Sequence, residues 1–140
     1  MAELVNGAGV GPAGLSAATT LRLSTQIPRC AHYAVPGRAP TGRRTVRFVS
    51  RASRSGRADY ALSALGVAAL EVLDEWEQVL ETDPEDAMDG LSSLITSGDI
   101  DAERLTAAGA TEPPRAQARL RYLLRRAGSP ELAERLREPS

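Results

Sequence analysis

At 140 residues the chain is long enough for one ordinary domain, and its 42% hydrophobic and 25% charged content is that of a globular protein. No run of about 18 apolar residues is present to span a bilayer, and the single cysteine, Cys30, excludes an internal disulfide framework. All 17 basic residues are arginine, so Schiff-base chemistry and Walker-type phosphate loops, both of which need a lysine amine, are excluded.

The formal net charge of −1 conceals three blocks. Residues 1–58 hold nine arginines and one glutamate, a charge of +8. Residues 59–112 hold one arginine and fourteen acids, a charge of −13, and residues 113–140 hold seven arginines and three glutamates, a charge of +4. Blocks of this kind mark places where a chain changes role. The N-terminus lacks the charged-then-apolar pattern of a secretory signal. A cytoplasmic protein with no membrane association is therefore expected.

The first feature along the chain is Gly9-Val10-Gly11-Pro12-Ala13-Gly14, which fits the G-x-G-x-x-G fingerprint of a dinucleotide-binding turn. That turn needs a feeder strand and an acid about 20 residues on for the ribose. Only Leu4 and Val5 precede Asn6-Gly7-Ala8, and no Asp or Glu occurs between Glu3 and Asp59. A nucleotide site is therefore not expected, and residues 1–11 read as a flexible N-terminus.

From Pro12 to Leu23 the pattern predicts a short helix, with Pro in its first turn. Ile27-Pro28 ends it. His32–Val35 and Thr45–Ser50 read as strands, separated by a turn-rich region at 36–44. After Asp59 the period changes to that of a helix. Leu62, Leu65, Ala69, Leu73, Trp76 and Leu80 form one stripe, which predicts a buried helix over 61–80. Its outer face would carry Glu71, Asp74, Glu75 and Glu77. Further helix starts stand at Asp83-Pro84, at Asp101, at Glu112-Pro113 and at Ser129-Pro130. The expectation is an α+β fold: a single domain over 12–140, with a basic helix/strand part at 12–58 and a mainly helical array at 59–140.

Chemistry is sparse. Cys30 and His32 do not make a metal site by themselves, and His32 is the only imidazole available to a nucleophile. The carboxylates of 71–89 fall at the spacing of a solvated face. No catalytic, metal or cofactor residue is assigned. The stronger signal is seven arginines within twenty residues: Arg38, Arg43, Arg44, Arg47, Arg51, Arg54 and Arg57. They could neutralise phosphates or engage an acidic protein. They could also pair within the chain to the acidic helix.

Three stretches together resemble one family. Ser16-Ala17-Ala18-Thr19-Thr20-Leu21-Arg22-Leu23-Ser24-Thr25-Gln26-Ile27-Pro28 is similar to the G-x-x-A-x-x-x-L-G-L-S-T-Q-V-P segment of AbiEi-type antitoxins. Val35-Pro36-Gly37-Arg38 and Val46–Arg51 are similar to that family's following strands. Leu62 to Trp76 resembles its L-E-V-A-L-L-E-V-L-x-x-W helix. The resemblance runs in order from about residue 12 to 137.

Members usually begin with a winged helix-turn-helix domain, and the resemblance here covers only the portion that follows it. Arg22 replaces a Gly of the pattern, and Gly66 replaces a Glu that would complete a capping box with Ser63. The resemblance implies a non-enzymatic bacterial antitoxin that counteracts a nucleotidyltransferase-type toxin of a type IV toxin–antitoxin pair. With it goes only weak, non-specific DNA binding by the arginine stretch. The alternative is an Arg-rich nucleic-acid-binding accessory or transcriptional regulator module.

Overall fold

The computed structural model describes residues 9–21, 31–35, 46–50, 54, 56–76 and 83–136. Three strands and seven helices occur among them: β1 (Gly11–Pro12), α1 (Gly14–Thr20), β2 (Ala31–Val35), β3 (Val46–Ser50), α2 (Gly56–Asp59), α3 (Ala64–Asp74), α4 (Pro84–Thr96), α5 (Ala102–Gly109), α6 (Pro114–Arg126) and α7 (Pro130–Arg135). This is the α+β arrangement expected, a small strand-bearing part followed by helices. The sheet order is β1-β2-β3. β1 runs antiparallel to β2, with Gly11 opposite Ala34. β3 runs parallel to β2, from Ala31 opposite Val46 to Val35 opposite Ser50.

Helix α3 is the centre of the molecule. Every residue from Gly66 to Asp74 is buried, the signature of a helix with neighbours on all sides. β1, α1 and α6 all pack against it. Ala17 and Ala18 of α1 are fully buried, their small side chains allowing close approach to α3. Ser63 caps the start of α3, its Oγ accepting the Gly66 N–H at 3.2 Å. Glycine at 66 costs the reciprocal half of the capping box, but it has a packing role. A Cβ there would fall 2.5 Å from Leu62 Cδ1.

The helical array follows its start signals. Asp83 caps α4 through the Glu85 N–H at 2.8 Å, with Pro84 in the first turn. Asp101 caps α5 through the Arg104 N–H at 3.1 Å. Pro114 opens α6 and Pro130 opens α7. Gly98 and Gly128 turn the chain after α4 and α6 at φ +87° and +86°, values that glycine reaches without steric cost. Ala87, Met88, Leu91 and Ile95 of α4 are buried, as are Ala116, Leu120, Leu123 and Leu124 of α6.

Several expectations are corrected. Pro12 lies in β1 rather than in the first turn of α1, because Gly11-Pro12 completes the sheet edge beside Tyr33 and Ala34. Residues 9–11 are packed, not part of a flexible terminus. Gly9 holds φ +76° with its N–H on Leu62 O at 3.1 Å, and a Cβ on Gly11 would fall 2.6 Å from Val67 Cβ. Gly11 thus lets β1 meet α3 closely, and Gly9 lies against the Arg57–Ala58 backbone of α2. Two N–H groups of the G-x-G-x-x-G stretch are already engaged, Gly9 on Leu62 O and Ala13 on His32 O at 2.8 Å.

The 61–80 helix is also interrupted within its stripe. α3 stops at Asp74, where the carbonyls of its last turn are met from α6. Arg119 Nη1 donates to Leu73 O at 2.8 Å and Arg115 Nε to Asp74 O at 3.2 Å. Cations at a helix C-terminus satisfy its orphan carbonyls and oppose its dipole. Trp76 is half-buried against the core beyond that end, with the Arg119 guanidinium 6.0 Å from its ring centroid. Leu80 lies outside the described residues.

Two stability outcomes are expected in urea denaturation. Leu73→Ala removes a fully buried side chain of α3 and should cost about 2–5 kcal/mol, whereas a loss below about 0.5 kcal/mol would place it at the surface. Ala61 is exposed and holds φ +50°, so Ala61→Gly should relieve left-handed strain and stabilise by about 0.5–1 kcal/mol after glycine's own entropy cost.

Candidate functional site

The candidate residues are the seven arginines of 38–57, and the structure separates them. Arg38, Arg43, Arg44 and Arg51 lie outside the described residues. Arg47 sits in β3, opposite His32 of β2. Arg54 and Arg57 are turned inward, which corrects their assignment to a partner surface. The Arg57 side chain is 0% exposed and that of Arg54 12%, so neither presents its charge to a phosphate backbone.

Arg57 is carried on α2, a single turn laid against α5. Gly56 makes this approach possible, because a Cβ there would lie 2.8 Å from Ala108 O. The Gly56 N–H donates to Thr111 Oγ1 at 3.1 Å. The guanidinium then meets two carboxylates. Its Nε and Nη2 donate to Glu112 Oε2 and Oε1 at 2.9 and 2.8 Å, and Nη1 donates to Glu71 Oε2 at 2.7 Å. The fork on Glu112 is the bidentate geometry that arginine offers and lysine cannot. Burial alone would lower the Arg57 pKa. The hydrogen bond and charge of Glu112, followed by those of Glu71, outweigh it and hold the group above its ordinary value.

The cluster extends on both sides. Arg54 approaches Asp74 Oδ2 at 3.0 Å, and Glu71 and Glu112 at 3.7 Å each. Arg115, largely exposed, reaches in to Asp74 Oδ1 at 2.7 Å. Three guanidiniums thus face three carboxylates, a formally neutral set. Glu71 and Asp74 therefore do not sit on an outer face. Their spacing on α3 aims them at arginines supplied from Arg54–Arg57 and from α6. The charge blocks were the one sequence signal of this pairing, since a positive block directly precedes a negative one, but they do not say which members meet.

The remaining basic side chains of α6 are also engaged. Arg126 meets Glu85 Oε2 at 2.6 Å and Asp89 Oδ1 at 2.7 Å, and Arg121 Nη1 donates to Leu136 O at 2.9 Å. Arg125 stands 3.8 Å from Glu134. These contacts are exposed or half-exposed and contribute little to stability individually.

The Ser16 and His32 pairing is structural. Ser16 Oγ accepts the His32 backbone N–H at 3.0 Å and ties α1 to β2. Among the described residues, no group of three His, Cys, Asp or Glu side chains is placed to hold a metal ion. Cys30 lies outside them. Among the described residues, no helix is long and apolar enough to cross a membrane.

The fold resembles that of the RV2827C protein from Mycobacterium tuberculosis. The two superpose with a TM-score of 0.54 at 22% sequence identity, over 95% of this chain. The chain spans 54% of the length of that structure. At this identity the likeness is one of fold. No family model and no curated protein matches the sequence.

Removing one partner of the buried cluster should leave an uncompensated charge. Glu112→Gln is expected to cost about 3–5 kcal/mol in urea denaturation, while a loss below about 1 kcal/mol would show that the cluster behaves as a solvated surface pair.

Proposed function

We propose that this chain is a cytoplasmic, non-enzymatic antitoxin-like domain that counteracts a nucleotidyltransferase-type toxin of a type IV toxin–antitoxin pair. One observation supports the reading: the described parts of the three stretches that resemble AbiEi-type antitoxins belong to adjoining elements of the fold. Ala17, Ala18 and Leu21 of the first join Val67, Leu70 and Leu73 of the third in one core. Val35 and Val46–Ser50 of the second belong to the paired strands β2 and β3. An ordered set of sequence similarities that becomes one packed unit supports a shared domain better than scattered matches would.

The alternative is nucleic-acid binding through the arginine-rich stretch. The burial of Arg54 and Arg57 counts against it, since it leaves Arg38, Arg43, Arg44, Arg47 and Arg51 to neutralise phosphates. Contacts of that kind are sequence-blind. Five of them would lose about 10²–10³ in affinity between 50 and 200 mM salt.

The test is co-expression with a nucleotidyltransferase-type toxin encoded beside this chain. Rescue of growth is expected, and the variant Arg47→Glu with Arg51→Glu should rescue equally while losing any DNA retention. Absence of rescue, together with sequence-specific DNA binding at about 150 mM salt, would transfer the assignment to the nucleic-acid reading.

A further inference from the structure

Residue 54 and residues 56–61 contribute no side chain to the hydrophobic core, which begins again at Leu62. Polar contacts hold this segment. Gly56 bonds Thr111, Arg57 bonds Glu112 and Glu71, and Arg54 pairs with Asp74. Arg104 Nη1 donates to Ala61 O at 3.4 Å. Tyr60 points outward and is 52% exposed. On either side the chain is differently anchored, by strand pairing at β3 and by Leu62 and the buried face of α3.

The mode of attachment sets how the segment can come away. An apolar anchor is held in the fold because its exposure is opposed by water. A buried ionic cluster regains its hydration on opening. Opening gives water access to both sides of the cluster, Arg54 and Arg57 on the segment and the Glu71, Asp74 and Glu112 carboxylates it covers, and so costs less than deleting one partner while the rest stay buried. We propose that Arg54 and residues 56–61 form a polar latch, a segment that detaches from α3 and α5 as one unit while α4, α5 and α6 remain folded. The proposal is independent of the antitoxin reading.

Native-state amide hydrogen exchange tests it on the whole chain. The amides of Arg57, Tyr60, Ala61 and Leu62, bonded to Arg54, Gly56, Ala58 and Arg57 carbonyls respectively, should exchange as one group. They should be at least about tenfold faster than the amides of Leu120, Leu123 and Leu124, which open only with the whole fold.

Leu91→Ala in α4 lowers the stability of the latched and unlatched states equally. It should therefore speed the α6 amides by about 30-fold or more and leave the latch amides within about twofold. Ile95→Val gives the same contrast with a smaller shift. Thr111→Val, which removes the acceptor for Gly56, should speed the latch amides. A common rate for both groups in the unaltered protein, or joint acceleration in Leu91→Ala or Ile95→Val, would overturn the latch. So would latch amides that do not respond to Thr111→Val.

Discussion

The Arg57 guanidinium is fully buried, so the protein itself must meet its donors. That requirement fixes three separate parts of the chain at once. Glu71 must come from the middle of α3, Glu112 from the turn between α5 and α6, and Gly56 must let α2 approach α5 closely enough to deliver the side chain. Arg54 and Arg115 follow from the same constraint. They complete the charge on Asp74, so the cluster is balanced rather than merely paired. The helix that carries Glu71 and Asp74 is buried throughout, and a partly neutralised cluster there would be more costly than none.

Around this polar centre the apolar core is built from small and aliphatic residues. Aromatics make up 4% of the chain, and close approach replaces large side chains. Ala17, Ala18, Ala68 and Ala69 are fully buried, and Gly9, Gly11 and Gly56 sit where a Cβ would collide with backbone or a neighbouring side chain. Interiors of this kind are dense because elements come near one another, and dispersion then accumulates over many short contacts. The same close approach explains the glycine-rich stretch before α1, which resembles a nucleotide loop in letters and serves as a contact surface for α3.

The functional reading rests on this organisation. A domain built around one core can present a partner surface from its remaining exterior. Arginines that complete the interior are withdrawn from that surface. The structure thus divides the arginine-rich stretch by role. Its C-terminal members, Arg54 and Arg57, belong to the fold, and any role in partner binding falls to the members before them.

Much of the helical array was legible in the sequence. Asp83-Pro84, Asp101 and Ser129-Pro130 mark helix starts, and Glu112-Pro113 falls just before one, because capping and the geometry of proline act within a few residues. The apolar stripe of α3 was legible for the same reason, since its period is local. What lay beyond the sequence depended on partners distant in the chain. The carbonyls at the end of α3 are met by Arg115 and Arg119 of α6, 41 and 46 residues away. The parallel pairing of β2 with β3, the use of Pro12 in a strand, and the inward turn of Glu71 and Asp74 are likewise tertiary. A carboxylate at a given helical position reads as solvent-facing unless its counter-charge is known. For Glu71 that counter-charge, Arg57, lies 14 residues earlier in sequence and meets it only when α2 packs on α5. The sequence by itself determined the strands β2 and β3, the helical character of the chain after Asp59 and the blocks of charge along it. Only the tertiary structure decided which charges meet, because burial and pairing are properties of neighbours in space.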